Sequence, residues 1–280
     1  MPFEVLLSPA ALALLGLAVG SFLNVVVHRL PLMLERNWKL ESADLLGVKV
    51  DAPPAIGLSK PRSRCPACQH PIAWHENVPV LSWLKLRGRC SACKALISPR
   101  YPAVEIATAL LFAAVAWRYG AQPLSLLWCA FVATLVALAS IDWDTTLLPD
   151  SLTLPLLWGG LTASALGYTI PLTTAFWGAV AGYLSLWSVY WLFKLATGKE
   201  GMGHGDFKLL AAIGAWLGWQ MVLPVVLGAS LLGAVVGIAM KLKARLREGR
   251  YVPFGPFLSG AGVVVMLAGR ERVLGWLGWA

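Results

Sequence analysis

The sequence predicts an all-α polytopic membrane protein with about eight transmembrane helices. Three observations lead there. Of 280 residues, 58% are hydrophobic and only 13% charged, whereas a soluble domain carries about a quarter charged residues. Charge-free apolar stretches of membrane-spanning length recur along the chain. The basic residues fall almost wholly into alternate connections between those stretches. This composition excludes an ordinary cytosolic enzyme and a disordered chain. The 14 Trp residues suit membrane interfaces, where amphipathic rings settle.

The first span is Val5 to Val27, which contains no charge. It is not expected to be a cleaved signal peptide, because Glu4 is the only ionisable side chain before it and no basic region precedes it. A second span runs from Tyr101-Pro102 to Trp117, with Glu105 expected in its first turn, where a carboxylate suits the helix dipole. The third lies within Tyr119 to Ile141. Ser151 to Phe193 has no charge and provides two spans turning near Gly167 to Pro171. Leu209 to Met240 is long for one span and short for two, with turn signals at Gly218-Trp219-Gln220 and Pro224. Val252 to Gly269 closes the set. Charge resolves the ambiguous stretch: with two spans there, one side of the membrane collects 20 of the 23 Lys/Arg. Eight spans, with both termini outside the cytoplasm, follow from the positive-inside rule. The net charge of +9 is then read as orientation in the lipid bilayer, with no nucleic acid as partner.

This divides the chain into a first transmembrane helix (1–27), a cytosolic domain (28–100) and a seven-helix membrane domain (101–280). The cytosolic segment is too long for a simple connection and holds four of the five cysteines. Cys65-Pro66-Ala67-Cys68 and Cys90-Ser91-Ala92-Cys93 give the pattern C-x2-C-x21-C-x2-C. Two such pairs supply four thiolates for a tetrahedral zinc, and a cytosolic setting disfavours disulfides. Four thiolates leave no open coordination position, so the expected Zn2+ is structural and organises a small zinc-binding lobe between helices 1 and 2. A redox pair and free thiols are the competing readings. Cys129, in an apolar span, is expected to pack.

Two acidic groups fall at membrane edges, where ionisable residues point to function. Asp142 to Asp150 joins the third and fourth spans, and Gly203-His204-Gly205-Asp206 opens the sixth. Both lie on the cytosolic side of the topology deduced from Lys/Arg. Paired carboxylates can share one proton, so that one activates water and the other polarises a scissile carbonyl, as in aspartic peptidases. Gly203 and Gly205 would permit close backbone approach to Asp206. Asp150 is expected to cap the fourth helix. Asp144, ~200° around a helix from Asp142, is expected to be solvated, and His204 is not expected to be catalytic. Glu200 to Gly205 mimics a methyltransferase glycine fingerprint, but that fingerprint requires a βαβ setting which two flanking spans exclude.

Together these residues resemble the type IV prepilin peptidase family, membrane GxGD aspartic peptidases that are bifunctional prepilin leader peptidase/N-methyltransferases. The resemblance rests on Gly20-Ser21-Phe22-Leu23-Asn24-Val25-Val26-Val27-His28-Arg29, the paired CxxC, Glu76-Asn77-Val78-Pro79 and Leu86-Arg87-Gly88-Arg89-Cys90. Ser98-Pro99-Arg100-Tyr101-Pro102, the Asp142–Asp150 segment and Gly203-His204-Gly205-Asp206 complete it. It implies a catalytic pair at Asp142 and Asp206. It also implies a bacterial inner-membrane location and, as substrates, type IV prepilins or type II secretion pseudopilins. Their basic leader would be cut after a glycine, and the new N-terminal residue methylated with S-adenosylmethionine.

The donor's sulfonium favours aromatic or acidic neighbours, which makes Trp74, Glu76, Trp83 and the tight Gly88 candidates for its site; packing of the lobe is the alternative reading of the same four. The expected leader and the cytosolic face are both basic, so Glu35, Glu41, Asp44, Asp51 and Glu76 are the available acidic contacts. The rival functions are a peptidase without methyl transfer, a cation- or proton-coupled transporter, and a scaffold organised by the zinc lobe. Transporters place such carboxylates near the bilayer midplane within repeats, and no repeat is evident here.

Overall fold

The computed structural model describes residues 5–51, 54–242 and 252–279. Among these the chain is helical, with no strand beyond two isolated β-bridges. We number the α-helices α1 (Pro9–Leu46), α2 (Leu81–Lys85), α3 (Arg100–Tyr119), α4 (Leu124–Thr145), α5 (Asp150–Ala165), α6 (Leu172–Thr197), α7 (His204–Leu217), α8 (Val222–Leu242), α9 (Gly255–Ala268) and α10 (Arg270–Leu277). Among the described residues, four helices are long and apolar enough to cross a membrane: α1, α3, α4, and α8 with the 3-10 turn before it, as Trp219–Leu242. The chain is a membrane protein. It separates into two compact units, 1–137 and 138–280, with the division inside α4.

In the first unit, α1 begins at a Ser8 cap whose hydroxyl accepts the Ala11 N–H, and it ends at Gly47 with φ 64. Its 38 residues measure about 57 Å, far more than the ~30 Å hydrocarbon core. The helix thus continues beyond the apolar stretch that ends at Val27, and Pro31 does not end it. Helices α1 and α3 pack backbone against backbone. A Cβ on Gly16 would stand 2.7 Å from Ala109 Cα, and one on Gly20 2.7 Å from Glu105 Cα. Small residues let backbones approach in this way where lipid offers no hydrophobic drive. Glu105 does not lie in the first turn of α3, as the sequence suggested; it is more than one turn in, and buried.

In the second unit α7 is the central element. Almost every residue from Asp206 to Leu217 is buried, as expected for a helix apolar on all sides and surrounded by protein. Its 14 residues reach only about 21 Å. Helices α5, α6 and α9 all contact it. Gly178 of α6 and Gly214 of α7 face each other so closely that neither can carry a Cβ without striking the other's carbonyl. Gly160 of α5 seats the Trp216 ring, whose Nε1–H donates to the Leu156 carbonyl at 2.8 Å. The predicted turns fall where glycine signalled them: Gly167 at φ 76 precedes α6, and Gly218 at φ 91 separates α7 from the turn before α8.

Candidate active site

Asp142 sits in the last turn of α4, where the Thr146 N–H donates to its backbone carbonyl at 2.8 Å. Its side chain is buried, and the backbone N–H of Gly255, the first residue of α9, donates to Oδ2 at 2.9 Å. Asp206 is the third residue of α7, after a Gly203 cap, and is also buried. Its Oδ1 has no hydrogen-bond partner among the described residues. Leu148 packs against both Gly205, the residue before Asp206, and Gly255, whose amide holds Asp142. The two sequence-predicted carboxylates are therefore brought together, in a setting from which water is largely excluded.

Leu148 closes the space between the contributing segments. A Cβ on Gly205 would lie 2.8 Å from Leu148 Cβ, and one on Gly255 would lie 3.2 Å from Leu148 Cδ2 and 2.6 Å from Asp142 Oδ2. The requirement for glycine is thus steric at Gly205 and Gly255. At Gly203 the nearest atom to such a Cβ is 4.0 Å away, so that residue serves as the extended cap of α7.

Around the pair, charged and aromatic side chains fix the two segments. Asp150 does not cap α5: Pro149 holds the cap position, and the Asp150 carboxylate instead receives Lys208 Nζ at 2.7 and 2.8 Å. Lys208 is two residues beyond Asp206, so this ion pair ties the start of α5 to the first turns of α7. The loop before α7 is anchored by Glu200, which accepts from Lys194 Nζ at 2.9 Å and from the buried Tyr190 hydroxyl at 3.2 Å. The Lys194 ammonium holds the Glu200 carboxyl below the usual carboxylate range. Exposed His204 packs against Tyr190 and Phe207. Asp144 is exposed, as expected. Sequence reasoning missed Gly255, Leu148 and Tyr190. The signal for Gly255 was its place between Pro253-Phe254 and Pro256, a helix start.

In the first unit the four predicted cysteines converge, with all sulfurs within 4.8 Å of one another. Two near-identical knuckles carry them. In each, the first cysteine accepts an N–H four residues on (Gln69, Lys94) and donates its own to the carbonyl five residues on (His70, Ala95). Gln69 and Lys94 take the same positive φ, 59 and 61. Backbone N–H groups of Cys68 and Ala67 draw the Cys65 thiol down to about 7, and those of Cys93 and Ala92 lower Cys90. The His70 N–H favours the Cys68 thiolate as well, but burial and the neighbouring thiols push that group up to about 11. Sulfur separations of 3.8 Å (Cys65–Cys93) and 4.0 Å (Cys68–Cys90) match the ~3.8 Å edge of a tetrahedron with 2.3 Å metal–sulfur bonds. The cluster can hold a metal ion. Cys129 is buried among apolar residues.

Of the four candidates for a methyl-donor site, three take part in the lobe's own structure. Glu76 Oε2 accepts the Ala73 N–H at 2.9 Å and lies 3.7 Å from His70 Nε2. The Ser91 hydroxyl, then that N–H, hold its carboxyl below the ordinary range. Ser91 belongs to the second knuckle and His70 to the first, so Glu76 bridges them. The Trp83 ring lies on Gly88, and its Nε1–H donates to the Ile97 carbonyl at 3.2 Å. Trp74 is exposed.

A helical membrane protein with two buried aspartates, one at the end of an apolar helix and one in a Gly-x-Gly-Asp helix start, defines a candidate membrane-embedded aspartic peptidase. Residues 14–119 match the Bacterial Peptidase A24 N-terminal domain, and residues 129–238 match the Type IV leader peptidase family. The chain belongs to the type IV leader peptidase family. It is 51% identical over 267 residues to a protein of Stutzerimonas stutzeri named prepilin leader peptidase/N-methyltransferase, covering 95% of this chain and 92% of that one. Relatives of the same name from Pseudomonas putida and Aeromonas hydrophila are each 54% identical. They cover 92% and 94% of this chain, and 89% and 91% of their own lengths. No solved structure matches.

Proposed function

We propose that this protein cleaves the basic leader from type IV prepilins or type II secretion pseudopilins, after a glycine, and then methylates the new N-terminal residue with S-adenosylmethionine. The observation that carries the peptidase reading is the buried pair of Asp142 and Asp206, with the Gly255 amide on one member only. The Gly255 N–H orients the Asp142 carboxyl as the group that faces the attacking water. Asp206, whose Oδ1 receives no donor among the described residues, holds the shared proton. Asp142 then takes a proton from the attacking water, while Asp206 gives its own to the scissile carbonyl oxygen. Collapse of the tetrahedral adduct returns the water's proton from Asp142 to the leaving amine and the hydroxyl proton to Asp206, so the pair ends as it began.

Methyl transfer is supported by the names of relatives aligned over nearly the whole chain. It requires a neutral amine, and an α-amino group with pKa near ~8 is already close to that state. Trp74 is the candidate whose face is free to meet the donor's sulfonium. The four cysteines would hold one Zn2+, whose contribution is to cross-link the two knuckles. Eight spans, both termini periplasmic, and the zinc lobe and aspartate pair on the cytosolic side of the bacterial inner membrane complete the reading, supported by the asymmetry of Lys/Arg. The test is cleavage of a prepilin by Asp142→Asn and Asp206→Asn proteins. Both should lose cleavage while keeping metal content, and an active variant would remove that residue from the mechanism.

A further inference from the structure

Glu105 is a buried carboxylate that the proposed chemistry does not use, and it holds a loop of the cysteine-bearing lobe against the transmembrane helices. Its Oε2 accepts the backbone N–H of Val80 at 2.7 Å. Val80 itself adopts φ 59, a conformation unfavourable for a β-branched residue. The segment Val78–Leu81 thereby lies beside α1 and α3, sharing an apolar cleft of about 550 Å³ with Leu14, Leu17, Ala18 and Ile106. Leu17 is ten residues inside the apolar stretch that ends at Val27, about 15 Å along the helix, or roughly one leaflet of the hydrocarbon core.

Non-helical backbone is tolerated at that depth only when its polar groups are paired within the protein. Here they are. The Val78 N–H donates to Ser82 Oγ at 2.9 Å, and that hydroxyl donates to the His75 carbonyl at 3.0 Å. Leu81, Ser82 and Leu84 donate to the carbonyls of Pro79, Val78 and Val80. Residue 79 is proline and has no N–H. Outward from this paired backbone stand Leu81 and Leu84, 65% and 58% exposed. Large apolar side chains on a backbone with its donors internally paired are arranged for lipid rather than water.

We infer that residues 78–84 form a re-entrant wedge that enters the bilayer beside α1 and α3, with Leu81 and Leu84 against acyl chains and Glu105 as the residue that holds it there. The wedge makes the lobe a membrane-inserted element instead of a freely solvated one.

The test uses the full-length protein in phospholipid vesicles containing a lipid with a photoreactive diazirine on its acyl chain, with adducts mapped by peptide mass spectrometry. Adducts on the 78–84 peptide as well as on α1 and α3 are expected. Hydroxyl-radical oxidation of Leu81 and Leu84 should stay near background in vesicles. Glu105→Leu, which leaves the Val80 N–H without its acceptor, should lower the wedge adducts by roughly fivefold or more, whereas Glu105→Gln, which retains an acceptor, should preserve them. Adducts confined to α1 and α3, with Leu81 and Leu84 readily oxidised, would overturn the proposal. Absence of adducts from α1 and α3 as well would overturn it by removing the membrane spans on which it rests. Neither outcome touches the aspartate pair.

Discussion

Gly255→Ala should impair cleavage severely while leaving the rest of the protein intact. The new Cβ would stand 2.6 Å from Asp142 Oδ2 and 3.2 Å from both its Cγ and Leu148 Cδ2. Ordinary carbon contacts begin at 3.4 Å, so the carboxyl or the start of α9 must retreat by roughly 0.8 Å at the oxygen. The 2.9 Å hydrogen bond from the Gly255 amide cannot survive that retreat with its present geometry. A hydrogen bond to a charged group contributes about 1.5–3 kcal/mol, which converts to a fall in kcat of about 10- to 100-fold. The assay is single-turnover cleavage of a purified prepilin, with methylation of an already mature pilin as the control for folding. KM should change little, because the amide orients a reacting group and does not hold substrate. Wild-type kcat in Gly255→Ala would refute the assignment of Asp142 as the group that the amide prepares.

Further outcomes follow from other parts of the structure. Asp150→Ala or Lys208→Ala should lower cleavage only a few-fold, since a partly exposed ion pair contributes about 1 kcal/mol or less; the charge-exchanged double variant should recover part of the loss in a double-mutant cycle. Tyr190→Phe, which removes one of the two donors to Glu200, should loosen the loop before α7, read as faster proteolysis at residues 198–203 with a fall in cleavage. Purified protein should contain one zinc per chain by elemental analysis. Cys65→Ser or prolonged chelation should lower the Tm, and with it methylation, before any direct effect on Asp142 or Asp206 is seen. Gly178→Leu, placed where even a Cβ strikes the Gly214 carbonyl, should fail to give a stable protein, because overpacking at a backbone contact has no side chain to move aside.

How far the fold is legible in the sequence depends on the kind of signal. Turns at Gly167 and Gly218 are readable because glycine is the residue that takes positive φ without strain. The cysteine cluster is readable because two repeats of Arg-Cys-x-Ala-Cys, at 64–68 and 89–93, require two copies of one local geometry. The extent of α1 is not readable from hydropathy. Counting charge-free residues measures contact with lipid, whereas the helix continues through Arg29 to Leu46 on residues such as Leu, Glu, Arg and Lys with good helix propensity.

The candidate site divides in the same way. Asp142 and Asp206 can be picked out because a carboxylate at an apolar helix end is rare. Asp150 looks like a helix cap from its neighbours alone, and its pairing with Lys208 spans 58 residues, beyond any local rule. Gly255 acts through a backbone N–H, which every residue but proline possesses, so its role appears only when α9 is set against Asp142. Glu105 is equally hidden: as a member of an early helical turn it suits the dipole, and its acceptance of the Val80 N–H depends on a loop 25 residues away.

The central claim is that one chain cuts a prepilin and methylates the product. Intact-mass spectrometry of a prepilin incubated with the purified protein, with and without S-adenosylmethionine, tests it most directly. The account predicts loss of the leader mass in both samples and a further gain of ~14 Da only with the donor. A prepilin of unchanged mass, under conditions in which an active relative cuts it, would contradict the account.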